Sequence, residues 1–240
     1  MLDILGAMTL TALAVLSVSA LIVAGERDGA GRIRLALFAT AWFVGIAGLA
    51  AAGVFSRLAG AGTLAIGAAV AAPILAGVIA FARSRSARAF ALGVPLAVLV
   101  GINVGRILGA FFLALHSAGR LPPTFALTAG WGDIFVGAAA VPLAWAIHRR
   151  SPGWRALALG WNALGLLDLV TAVSLGVGSA EGSPLRFIFE SPHSGAIATL
   201  PWAMIPGFLV PVFILAHLTV FAQLAVGVPK AERLPLRSAA

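Results

Sequence analysis

The chain has 240 residues, 61% of them hydrophobic and only 10% charged, whereas a soluble domain carries about 25% charge. A mean hydropathy of +1.05 excludes a water-soluble fold and points to lipid as the solvent. The absence of Cys excludes disulfides, thiolate metal sites and Cys nucleophiles, and the net charge of +8, carried in short loops, fits topology and anionic headgroups rather than nucleic acid.

A membrane-spanning helix needs roughly 20 apolar residues to cross a hydrocarbon core of about 30 Å. Seven stretches meet that need, at 3–24, 33–55, 60–82, 89–117, 123–148, 156–178 and 198–227. The first carries Asp3 and no basic leader, so it reads as a span rather than a cleaved signal. The third is rich in Ala and Gly but uncharged from Leu58 to Ala82. The fourth carries Arg106 and a run of small residues, Gly101, Gly105 and Gly109, that suits close helix packing or a contact between two copies of the chain. The longest loop joins spans six and seven, and its amphipathic middle, Pro184 to Glu190, is expected to form a short helix at the membrane surface. Span seven contains Pro201, Pro206 and Pro211, which predict a kink and freed carbonyls beside a cavity. A short polar tail, 229–240, follows.

Loop charges orient the bundle. One set of segments holds Arg27, Arg32, Arg34, Arg83, Arg85, Arg88, Arg149, Arg150, Arg155, Lys230, Arg233 and Arg237; the alternate set holds Arg57, Arg120 and Arg186. The positive-inside rule then places the N-terminus outside and the C-terminus in the cytoplasm. The fold class expected is an all-α integral membrane protein, a seven-transmembrane-helix bundle forming one domain over 1–228. The excess of Arg over Lys suggests a GC-rich genome, hence a bacterial cytoplasmic (inner) membrane.

A charge at mid-membrane costs about 2.5–3.5 kcal/mol on insertion scales, so it faces the bundle interior and finds a partner. At a rise of about 1.5 Å per residue, Arg106, Asp133 and Asp168 fall at nearly one depth, with His217 somewhat further toward the C-terminal end of span seven. Asn103 lies one turn from Arg106, and Asn162 lies on the same span as Asp168. Trp131 and Trp161 sit too deep for interfacial anchors and are candidates to line the same pocket. One Arg against two Asp leaves one formal negative charge, which a shared proton, a protonated His217 or a bound cation would relieve. One Asp is expected to pair with Arg106 and the other to remain titratable. These residues define a polar pocket between spans four and seven that binds or moves a proton, an ion or a small polar ligand, with spans one to three as scaffold.

A second reading makes His217 the axial ligand of a haem b, as in other helical bundles. A third gathers His116, His193 and Glu190 into a metal set. Signatures of enzymes are absent: the sequence has no HExxH, no GxSxG and no P-loop, and Gly130-Trp131-Gly132-Asp133 matches the GxGD protease motif only superficially. A retinal protein is excluded because the one lysine, Lys230, lies in the tail rather than in the last span.

Overall fold

A computed structural model of the chain describes residues 1–56 and 61–226. Among the described residues there are helices and loops and no strands. Helix α1 (Leu2–Gly25) and α2 (Gly29–Ala51) are separated by a three-residue break, after which Asp28 caps α2 by accepting a hydrogen bond from Gly31 N (2.8 Å). Helix α3 (Ala61–Arg83) is followed by Ser84, whose hydroxyl accepts from Ala87 N (3.2 Å) and starts a separate short helix, α4 (Arg85–Gly93). The fourth stretch is therefore not one helix from residue 89. Pro95 disfavours helical geometry at the residue before it, and Val94 is extended (φ −66°, ψ 126°). The chain restarts as α5 (Leu96–Gly101), tightens into a 3-10 segment (Ile102–Gly109) and relaxes into α6 (Ala110–Ser117). Helices α7 (Pro123–Arg149) and α8 (Trp154–Gly178) follow.

The last long helix also begins later than expected. Ser194–Ala198 forms a 3-10 turn, residues 199–203 run in irregular turns, and a π-helical turn (Ile205–Leu209) leads into α9 (Val210–Val226). Three prolines in this stretch remove backbone donors, and the wide π turn falls between Pro201 and Pro211, where the kink is expected. The segment from Pro184 to Glu190 is not helical. It runs in turns and extended chain, and Phe187 N and Ile188 N both donate to the carbonyl of Gly178 (2.9 Å each). Tying two successive amides to one helix-end carbonyl satisfies that carbonyl and leaves no room for an i to i+4 ladder. The tail, 229–240, lies outside the described residues.

Seven helices are long and apolar enough to cross a membrane, the mark of an integral membrane protein. They are not equally enclosed: 56% of the apolar window of Ile205–Val226 is buried in the bundle, against 6% for Ala61–Arg83. Helix α7 packs against the Leu96–Ser117 segment on one side and α8 on the other, and α9 lies behind them. Large apolar side chains such as Ile4, Phe38, Phe135 and Leu167 point outward, which suits lipid as the solvent.

Candidate functional site

Arg106 is the centre of the bundle. Its Nε donates to Asp133 Oδ1 (2.7 Å), its Nη2 donates to Asp168 Oδ2, and its Nη1 donates to the Gly165 carbonyl (3.1 Å) and to His217 Nε2 (3.2 Å). A guanidinium has five N–H bonds and no acceptor, so His217 Nε2 must accept. His217 Nδ1 then carries the hydrogen and donates to Asn162 Oδ1 (2.7 Å), while Asn162 Nδ2 donates to the His217 carbonyl (3.0 Å). The Trp161 ring lies 5.1 Å from the His217 ring, and its indole N–H donates to the Val136 carbonyl (3.0 Å). Four helical segments are thus joined through one side chain.

The local winding makes this meeting geometric. In a 3-10 turn residues three apart are eclipsed, so Asn103, Arg106 and Gly109 form one column facing α7. A Cβ at Gly109 would lie 2.5 Å from Asp133 Cβ, and one at Gly165 would lie 2.5 Å from His217 Cε1. A Cβ at Gly132 would collide with the Asp168 carboxylate. Three glycines therefore shape the cradle for the ionic groups, and of these only Gly109 belongs to the small-residue run of span four. The signal for Gly165 was present: Asn162, Gly165 and Asp168 recur every three residues along one face of α8. Asn103 is buried and donates to the Leu99 carbonyl (2.9 Å), but its Oδ1 has no partner among the described residues.

Several expectations are corrected. Both aspartates, not one, pair with Arg106. A protonated His217 does not balance the charge, because its Nε2 faces an N–H of Arg106. Both its nitrogens are engaged and the ring is fully enclosed, so it presents no lone pair to a haem iron. Trp131 points out of the bundle at 61% exposure, since α7 turns Asp133 inward and the residue two before it falls on the opposite side. His116, His193 and Glu190 do not converge. His116 bonds the Leu121 carbonyl (3.1 Å), His193 pairs with Glu181 (2.8 Å), and Glu190 accepts from Thr124 N (3.0 Å) and from its hydroxyl. No cluster suited to a metal is found among the described residues. The glycines of the fourth stretch do not form one stripe: a Cβ at Gly105 would strike Leu13 of α1, Gly109 faces α7, and Gly101 has open space.

Beside the ionic cluster lies a cavity of about 510 Å³. It runs from Asp133 along Phe112, Phe125, Leu169 and Val173 to Glu181 and His193 in the loop after α8. Helix α3 forms part of its wall through Ile66 and Val70, and the π turn contributes Ile205 and Pro206, so the first three spans are not all scaffold. The Arg106 side chain is 1% exposed, while those of Asp133 and Asp168 are 13% and 15% exposed; the cation is sealed and the carboxylates keep an open side.

At the opposite pole from α4, Asp3 Oδ1 accepts from Arg120 (2.8 Å) and from the indole of Trp202 (2.7 Å), pinning the start of α1 to the turns before α9. Asp3 and Arg120 stand 117 residues apart, and no local pattern in the sequence pairs them.

A bundle of membrane-length helices tied at its centre by one arginine shared between two aspartates defines a class, a polytopic membrane protein with a buried ionic network. Residues 63–225, well over half of the chain, match the family model described as a domain of unknown function, DUF8737, and the chain belongs to that family. The match begins in α3 and ends in α9, so it takes in every residue of the network. No curated protein and no solved structure matches the chain.

Proposed function

We propose that this protein binds a small ligand, ion or proton at the Arg106–Asp133–Asp168 network, reached through the cavity that ends on Asp133. One observation carries the reading: a sealed arginine holds two carboxylates that keep an open side, and one of them is the floor of a cavity. The three groups sum to one formal negative charge, and an unbalanced charge in low dielectric calls for a neutralising partner. A purely structural brace would balance with one carboxylate. Of Asp133's two oxygens, Oδ1 takes the Arg106 hydrogen bond, and Oδ2 has no partner among the described residues.

The loop charges support an orientation with the N-terminus and the Glu181–His193 end of the cavity outside, in a bacterial cytoplasmic membrane. The cavity then faces the exterior. The test is a proton titration of the purified protein in nanodiscs. Wild type is expected to bind one proton more than Asp133→Asn or Asp168→Asn between about pH 4 and 9 while all three keep the same helical content. Identical titration and identical ligand binding in all three would reduce the network to a brace.

A further inference from the structure

The class of ligand can be narrowed, on the footing of the site just proposed. Among its described residues the cavity has no Lys or Arg in its lining; the ionisable groups there are Asp133 at one end and the Glu181–His193 pair at the other. Everything between is apolar or small, and Phe112 and Phe125 stand as a ring pair 5.3 Å apart in the cavity wall, about two helical turns from Asp133. A carboxylate at the end of a long apolar cleft is the chemistry that selects organic cations, because the charge meets the carboxylate and the aliphatic and aromatic wall takes the ligand body. An inorganic ion would gain nothing from that wall, and an anion would meet the Asp133 carboxylate at the inner end with no Lys or Arg among the described lining residues to hold it. The volume of about 510 Å³ lies in the range that holds drug-sized molecules.

We infer that the cavity takes a hydrophobic organic cation, whose charge meets Asp133 Oδ2, and that this cation and a proton exclude each other. The reason for exclusion is the charge sum. The groups facing Asp133 are Arg106 from the 3-10 segment, Asp168 from α8 and neutral His217 from α9, and α3 brings no ionisable side chain to the cavity wall. One negative charge is left over, so one positive charge satisfies it. When the cation enters, the carboxyl proton leaves to the solution.

The test uses the full chain in phosphatidylcholine nanodiscs with benzyltrimethylammonium as the probe, read by calorimetry and by a pH indicator in weak buffer. Saturable binding is expected, with release of up to one proton per cation and an affinity that falls up to tenfold per pH unit as the solution is acidified. Asp133→Asn should abolish both signals. Val177→Trp, which narrows the cavity about 14 Å along α8 from Asp168, should abolish cation binding and leave the proton titration of the network as in wild type. Absence of saturable binding to wild type overturns the cation; if the extra proton of wild type over Asp133→Asn is then still present, the buried-site reading stands alone, and if it is missing both fall. Binding that ignores pH, or that survives Val177→Trp, also overturns the inference.

Discussion

Arg106 is the residue on which assembly turns. Removing one partner of a buried ion pair leaves an uncompensated charge and costs about 3–5 kcal/mol. Here Arg106→Leu would strand two carboxylates, so it should lower the thermal midpoint in detergent far more than Asp168→Asn, which removes charge without stranding any. Arg106→Lys should fail nearly as badly, because a single ammonium cannot reach Asp133, Asp168, Gly165 and His217 as a planar fork does. Two glycines of α8 offer a matched pair. Gly165→Ala would press on His217 and is expected to destabilise, while Gly160→Ala meets nothing within 4 Å and should be neutral or gain up to about 1 kcal/mol from helix propensity. Heating both variants side by side with wild type tests this. The charged residues were legible because lipid makes each of them conspicuous, and equal depth followed from counting residues. Their pairing pattern was less so, since which aspartate meets which arginine nitrogen depends on helix rotation, and the 3-10 turn changes that rotation.

At the scale of elements, breaks and caps decide where helices end. Glu190 reaches across from the loop after α8 to accept the Thr124 amide and hydroxyl at the start of α7, a first-turn donor that no helix satisfies for itself. Glu190→Ala should cost about 1 kcal/mol, in the range of lost caps, and should raise hydrogen exchange in the 179–197 loop and at the first turn of α7. The positions of α1, α2, α7 and α8 were readable from hydropathy to within a few residues. Two features were not. The split between α4 and α5 is written in Pro95 but was masked by the apolar stretch running through it. The extended loop at Pro184–Glu190 looked amphipathic, yet it is shaped by two amides bonding one carbonyl of α8, a contact between segments that no local pattern encodes.

For the whole molecule, orientation is the property most open to direct test, because the chain has no cysteine of its own. In the orientation proposed, Ser191→Cys should react in intact cells with a membrane-impermeant maleimide, and Ser86→Cys should react only after the membrane is opened; both positions are exposed. The reverse pattern would invert the topology and turn the cavity to the cytoplasm. The seven-helix count was fully legible from composition, since lipid leaves few folds open. The cavity was not, because it is a space between α3, α7, α8 and the π turn rather than a property of any one of them.

The eight residues Ile102–Gly109 also act as a gauge block for the bundle. Each 3-10 residue rises about 2.0 Å and turns about 120°, against about 1.5 Å and 100° in an α-helix. Rewinding this stretch as α-helix would shorten the segment by about 4 Å and rotate α6 relative to α5 by about 160°. Arg106 sits inside the stretch and is held from three other helices, so the grip on one side chain fixes both the length of this crossing and the compass bearing of everything beyond it.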